Sequence, residues 1–218
     1  MFSLGNRLWH TDASFRTVPA RYSILSARVV PPHGGNTEFA DMRAAYDALD
    51  EASRAEVDTL VCEHSLLFSR ARLGFTDYTE QEKATMAPVQ HRLVRTHPQS
   101  GRRSLYLSAH IGSIVGWPQP EALAFLLDLT EAATDRPFVH AHSWQAGDLV
   151  IWDNRQTMHR ARRFDDTLHV RDMRRTTTSV FEAAALESIL SPTNRTRRGR
   201  SHSSVRRRGR CGSGVQAM

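Results

Sequence analysis

Residues 148–160 read Asp148-Leu149-Val150-Ile151-Trp152-Asp153-Asn154-Arg155-Gln156-Thr157-Met158-His159-Arg160. A short β-forming run, Leu149–Trp152, precedes a polar break and a single histidine. A strand histidine is ordinarily a partly buried residue with one hydrogen bond, and the residues C-terminal to His159 change that weight. Phe164-Asp165-Asp166 is polar and turn-like, and Leu168–Thr177 reads as a returning strand. A hairpin centred near Asp165 pairs position 159 with 171 and position 155 with 175. Cross-strand partners share a face, so Arg171 is expected beside His159 and Arg175 further along the same face. Two inward arginines are costly unless an anion meets them. Their planar forks suit the carboxylates of a dicarboxylate or an acidic substrate. A register slip of one residue turns both outward.

Working outward, Trp9-His10-Thr11-Asp12 supplies the other half of a metal constellation. Residues i and i+2 of a strand point to one face, so His10 and Asp12 can reach the same ion. With His159 they make two imidazoles and one carboxylate. That set leaves positions open on an octahedral ion, as non-haem Fe(II) oxygenases require. His-x-Asp is by itself a common pair, more often structural than ligating. A rival pair, His140-x-His142, also shares a strand face and is read as a cupin-like metalloprotein site. It ranks lower because no acidic residue and inward arginine pair accompany it. Metal identity separates the two.

Between these motifs the chain reads as mainly β with flanking helices. Residues 21–30 form a strand, ended by Pro31-Pro32 and Gly34-Gly35. A helix is expected over 41–49, with Asp41 as N-cap and Met42, Tyr46 and Leu49 on one face. A second helix is expected over 52–61. Residues 91–96 and 104–108 flank Pro98-Gln99-Ser100-Gly101 as a hairpin. Pro120 opens a helix over 121–133 with Leu123, Leu126 and Leu127 inward. Phe138–Trp144, Leu149–Trp152 and Leu168–Thr177 complete the β-like runs.

The net charge of +6 is unevenly placed. Eight arginines fall between Arg195 and Arg210, and without them the acidic residues outnumber the basic ones. Residues 187–218 are therefore expected to be a disordered Arg-rich tail behind a near-neutral core, 1–186. A nucleic-acid-binding role through this tail is the weaker reading, since no aromatic residue interleaves its arginines. No run approaches the ~20 apolar residues of a membrane span. Cys62 and Cys211 are the two cysteines. With no export-signal pattern, a reducing cytoplasm is the expected compartment. Oligomeric state is not legible, and a homo-oligomer is compatible with all of these features.

Four motifs carry a resemblance: LGNRLWHTDASFR (4–16), ARYSILSARVVPPHGGNTEFADMRAAYDAL (20–49), LVRTHPQSGRRSLYLSAHIGSIVGW (93–117) and AGDLVIWDNRQTMHRARRF (146–164). Together and in this order they resemble the TauD/TfdA family of Fe(II)- and 2-oxoglutarate-dependent dioxygenases, most of all its 2,4-dichlorophenoxyacetate-cleaving branch. The resemblance implies a double-stranded β-helix (jelly roll), with His10, Asp12 and His159 on Fe(II). It implies that Thr37 and Arg171 hold 2-oxoglutarate, and that Arg175 and His110 contact a small anionic substrate. O₂ would be consumed, succinate and CO₂ released and the substrate hydroxylated. An aryl-ether substrate would then fall apart to a phenol and glyoxylate.

Two departures from the family pattern stand out. Family members carry a large segment before the His-x-Asp strand, where nine residues precede His10 here. The expectation is a jelly roll incomplete at its N-terminus, a gene fragment or mis-assigned start that is poorly stable and weakly active. The Arg-rich tail also matches nothing in that pattern.

Overall fold

Apolar and β-forming residues dominate 20–29, and in the computed structural model, which describes residues 2–179, they form β1 (Ala20–Val29). In chain order the other elements are α1 (Phe2–Gly5), β2 (Thr37–Asp41), α2 (Met42–Asp47), α3 (Glu51–Val57), β3 (Val61–His64), α4 (Leu66–Ala71), α5 (Glu80–Thr85), β4 (Val89–Arg92), β5 (Val94–Thr96), β6 (Arg103–Leu105), β7 (Ile111–Ile114), α6 (Gln119–Ala133), β8 (Val139–His142), β9 (Leu149–Asp153), β10 (Thr157–Ala161) and β11 (Asp172–Ser179). Local chemistry sets several boundaries. The Asp41 carboxylate accepts from the backbone N–H groups of Arg43 and Ala44 at 2.9 and 3.3 Å, fixing the start of α2. Thr79 and Glu82 form a reciprocal capping box on α5. The expected tail, 187–218, and the core boundary at 186 lie outside the described residues.

All strand pairs are antiparallel, in the orders β11-β1-β9, β10-β2-β8, β4-β3-β7 and β5-β6. In the first sheet the register puts Ser23 and Leu25 of β1 level with Trp152 and Val150 of β9 and with Thr177 and Arg175 of β11. These residues share one face. In the second sheet His159 of β10 stands opposite Phe39 of β2. The two faces meet where the Trp152 ring lies 5.4 Å from Phe39 and 4.7 Å from His159. The result is mainly β with helices on its flanks, and among the described residues the strands do not close into a barrel.

The main core lies on the far side of the second sheet. Met42, Leu93, Leu105, Ile114, Leu126 and Met158 are buried in one cluster. Met158 and His159 are both buried although adjacent, because strand alternation sends Met158 into this core and His159 into the cleft between sheets.

Several expectations are corrected. The hairpin that paired 159 with 171 and 155 with 175 does not form. His159 pairs with Phe39, and Arg175 pairs with Leu25 in the other sheet. The returning strand starts at Asp172 rather than Leu168, so 164–171 is a crossover between sheets and not a tight turn. The helix expected over 52–61 ends at Val57, and Val61 already begins β3. The run expected over 138–144 shortens to Val139–His142. In α6 the inward arc is Ala122, Leu126, Leu129 and Ala133, leaving Leu127 55% exposed. That arc has the i, i+4, i+7, i+11 spacing of one helical face, which excludes 127.

Beside this core, His64 is fully buried with neither ring nitrogen hydrogen-bonded, packed 5.1 Å from His91 and 5.5 Å from Tyr106. Burial, reinforced by His91, His110 and Arg95, pushes its pKa from 6.5 down to about 2. Such a group binds a proton more readily when the chain unfolds. Its effect is absent above the unfolded value of 6.5, and it lowers stability progressively as pH falls toward about 2.

Both the phase of α6 and the state of His64 can be measured. Leu126→Ala is expected to cost about 2–5 kcal/mol and Leu127→Ala no more than about 0.5 kcal/mol, measured by urea denaturation; the reverse order would mean α6 is rotated. Unfolding free energy is expected to decline below pH 6.5, with a shallower decline in His64→Gln; an unchanged slope in the variant would contradict the buried neutral imidazole.

Candidate metal centre

His10 enters the cleft through a short antiparallel bridge to β10. Its N–H donates to the His159 carbonyl at 3.1 Å, and the His159 N–H donates back to the His10 carbonyl at 2.9 Å. This bridge brings the two imidazoles to 4.2 Å between ring centroids. His10 Nδ1 lies 2.7 Å from the Leu8 carbonyl, which can only accept, so Nδ1 carries the proton and Nε2 presents its lone pair. His10 Nε2 is 3.8 Å from Asp12 Oδ1, and His159 Nε2 is 3.7 Å from Asp12 Oδ2. His10, Asp12 and His159 thus offer ligand atoms within 4.8 Å of one another, all three side chains being buried. Among the described residues they are the one such group.

A second set of residues, not anticipated from the sequence, orients the carboxylate. Ser23 Oγ donates to Asp12 Oδ2 at 2.7 Å, and Asn154 Nδ2 donates to Ser23 Oγ at 2.8 Å. Asn154 Oδ1 accepts from the Asp12 N–H at 3.2 Å and from Trp152 Nε1 at 3.1 Å. Every donor and acceptor in this chain is used in one consistent sense, and the network is buried. One signal was available: Trp152 and Asn154 stand two apart beside the ligand strand, so they share its inward face. Nothing local to Ser23 distinguishes it from other strand serines.

The electrostatics suit metal ligation. Burial lowers the pKa of His10 against the raising influence of Asp12, and lowers that of His159 further, with His10 adding to the effect. Both imidazoles are therefore neutral. Burial works to raise the Asp12 pKa, but any proton taken up by His159 or His10, the permanent charge of Arg175 and the Ser23 hydroxyl all favour the carboxylate, and the balance lies below the ordinary value. Two neutral imidazoles and an ionised carboxylate are the protonation states a divalent ion needs.

The other anticipated residues are distributed around this centre. Arg175 comes from the inward face of β11 and donates through Nη1 to Asp12 Oδ1 at 2.8 Å, with its side chain half exposed to the cavity. Arg171 lies just before β11, not beside His159 as the hairpin required. It packs under the Gly34-Gly35 turn, where a Cβ on Gly35 would stand 3.4 Å from its Cδ and Nε. Its Nε is buried without a partner, and burial lowers its pKa. Thr37, at the start of β2, shares the His159-facing side with Phe39. Its Oγ1 accepts from Trp144 Nε1 at 3.0 Å, so the hydroxyl proton is left to donate elsewhere.

His110 stands between the metal centre and solvent. Its ring is 6.4 Å from His10 and 4.9 Å from Phe15, both edge-on, and Nδ1 is 2.8 Å from Ser69 Oγ. Burial pushes its pKa down to about 3, so it too is neutral. Arg70, Phe15 and Leu73 join His10, Asp12, His110 and Arg175 around a cavity of about 360 Å³. Ala13, in left-handed backbone at φ 55°, makes the turn that carries Phe15 there. The rival pair fares differently: His140 is exposed, and His142 Nε2 is 3.0 Å from Asp148 Oδ2. An acidic partner does lie near His142, contrary to expectation, but the two histidines gather no third ligand among the described residues.

Known proteins share this arrangement of chain. The family described as "Taurine catabolism dioxygenase TauD, TfdA family" matches residues 2–177. The alpha-ketoglutarate-dependent 2,4-dichlorophenoxyacetate dioxygenase of Cupriavidus pinatubonensis is 51% identical over 176 residues, covering 81% of this chain and 61% of the relative. The (S)-phenoxypropionate/alpha-ketoglutarate-dioxygenase of Delftia acidovorans is 45% identical over 167 residues, covering 74% and 57%. The crystal structure of AAD-2 in complex with Mn(II) and N-oxalylglycine superposes with a TM-score of 0.80 at 60% identity, covering 83% of this chain and 71% of that one. The chain thus spans about three fifths of the length of the curated relatives it matches. On a family match running through nearly all the described residues, the chain belongs to the TauD, TfdA family of dioxygenases.

Proposed function

We propose that this chain carries the reaction core of an Fe(II)- and 2-oxoglutarate-dependent dioxygenase that hydroxylates a small anionic molecule, of the aryloxyalkanoate or sulfate-ester kind. The observation that carries the reading is the buried His10–Asp12–His159 cluster, already in its ligand-competent protonation state and open to a cavity with cationic walls. Family membership supports it, as do relatives named for alpha-ketoglutarate-dependent oxidation of 2,4-dichlorophenoxyacetate and of sulfate esters. The jelly-roll topology of this family is part of the same proposal, the two facing sheets being its wall.

In this reading His10, Asp12 and His159 would hold the ion through two imidazole nitrogens and a carboxylate oxygen, a donor set suited to Fe(II). Fe(II) with 2-oxoglutarate supplies the oxidising chemistry, decarboxylation to succinate and CO₂ coupled to hydroxylation of a C–H bond. Arg171 and the free Thr37 hydroxyl proton grip the remote carboxylate of 2-oxoglutarate. The buried, unpartnered Arg171 Nε is what such a carboxylate would satisfy. Ser23 and Asn154 keep Asp12 from rotating out of the ligand position. Arg175 has one edge on Asp12 and the rest of its fork toward the cavity, where it meets the substrate's anionic group. His110 adds a neutral, shaped contact rather than charge, and Phe15 and Leu73 exclude water around the reacting carbon.

Three outcomes test this. Asp12→Ala is expected to abolish Fe(II)-dependent conversion of 2-oxoglutarate to succinate, and retained conversion would remove the ligand assignment. Asn154→Ala is expected to weaken metal binding or turnover by about 10–100-fold while the chain stays folded by circular dichroism. Arg171→Gln is expected to raise the KM for 2-oxoglutarate by about tenfold or more, the loss of a charged hydrogen bond worth about 1.5–3 kcal/mol; an unchanged KM would place the co-substrate elsewhere.

A further inference from the structure

A second cavity, of about 530 Å³, opens beside β4 and β5 and shares no lining residue with the metal-centre cavity. His91, Arg92, Arg95, Thr96, His97 and Arg155 contribute to its wall. No carboxylate lines it among the described residues, but its cations are not equivalent. Arg155 is fully engaged: Nε donates to Asp153 Oδ1 at 2.8 Å and Nη1 donates to Gln99 Oε1 at 3.0 Å. His97 Nε2 lies 3.1 Å from the other oxygen of the same carboxylate.

Arg95 differs. It is half buried, its guanidinium is stacked 3.8 Å over the Tyr106 ring, and among the described residues it forms no ion pair. Its Nη2 lies 2.8 Å from His91 Nδ1. His91 Nε2 is 3.1 Å from the Arg16 carbonyl. A carbonyl only accepts, so the imidazole proton sits on Nε2, and Nδ1 is the lone pair that receives Arg95. Burial first, and then Arg95 itself, lower the His91 pKa, in keeping with this neutral form. The groups that touch Arg95 are thus a neutral ring and an aromatic face, and neither supplies the counter-charge a half-buried guanidinium calls for. The rest of its fork borders the cavity, with exposed Arg92 at the rim adding a second positive charge.

We propose that this cavity is an oxyanion site, in which a small carboxylate or phosphate caps the Arg95 guanidinium with Arg92 beside it. The bidentate geometry of an arginine fork fits either ligand. The site is also wired to the reaction core. The hydrogen-bonded path Arg95–His91–Arg16 ends on the backbone of a residue that lines the metal-centre cavity. An anion that repositions Arg95 therefore acts on that wall.

The test is a titration of the whole 218-residue chain with inorganic phosphate and, separately, with acetate, at constant ionic strength, monitored by calorimetry and by the arginine Nε–H resonances. Saturable binding is expected for at least one probe, and the tighter of the two identifies the ligand class. Arg95→Gln is expected to weaken it by about tenfold or more, equal to about 1.4 kcal/mol, and Arg92→Gln to weaken it less. Arg175→Gln, in the other cavity, is expected to leave it unchanged. If Arg95→Gln unfolds, Arg95→Lys, which keeps the charge and loses the fork, replaces it and is expected to weaken binding as well. A response that never saturates would overturn the proposal. So would binding that persists in the Arg95 variants and disappears in Arg175→Gln. Neither result depends on whether the chain oxidises anything.

Discussion

The antiparallel bridge between His10 and His159 is the contact on which the centre depends. Its two backbone hydrogen bonds join the extended segment at the start of the chain to a strand near the end of the described residues. That closure carries a substantial loop entropy, offset in part because His159 packs its ring against Trp152 and Phe39. Once it is closed, the turn that begins at Asp12 and the inward face of β10 bring the three side chains together. His10 and Asp12 face the cleft, His159 meets them, and the Asn154–Ser23 pair fixes the carboxylate. A ligand set built on backbone pairing is rigid at its Cα positions, so residues two or three contacts away can tune it without assembling it.

Charge is distributed around this centre by a simple division. Carboxylate charge at Asp12 is balanced on one side by Arg175 and left available on the other. Arg171 packs against the Gly34-Gly35 turn with its Nε buried and unpartnered, and among the described residues it forms no ion pair. One guanidinium is thereby tied to the Asp12 carboxylate, and the other is the one proposed above to meet an anion from solution. The imidazoles are neutral because burial outweighs the pull of the single carboxylate among them.

Much of the centre was legible in the sequence, but not for one reason. The distal histidine lies on a strand, so alternation could be read there directly; His10 and Asp12 were expected on a strand too, but His10 forms a single bridge and Asp12 already stands in a turn, so they converge on the same cleft by a different local route. β1, α2 and the 94–105 hairpin were legible through apolar pattern, the Asp41 cap and the Pro-Gly turn. The pairing of 159 with 171 was not, because local pattern does not say which sheet a strand joins. The crossover at 164–171 looks like a turn in sequence, yet β11 docks on β1, far away along the chain. Arg175 still reached the site, for a different reason from the one expected: its neighbour across the sheet is Leu25, and its inward direction comes from β1. Ser23 and Ser69 were silent because their roles exist only through partners distant in sequence. Leu127 was misplaced because three leucines in five residues do not by themselves fix the phase of a helix.

The most direct measurement is anomalous diffraction from crystals of the chain grown with Mn(II) and 2-oxoglutarate. The expected result is a single ion bound by His10, Asp12 and His159, with the remote carboxylate of the keto acid on Arg171 and Thr37. An ion seated instead at His140 and His142, or a keto acid that leaves the Arg171 guanidinium without a partner, would contradict it.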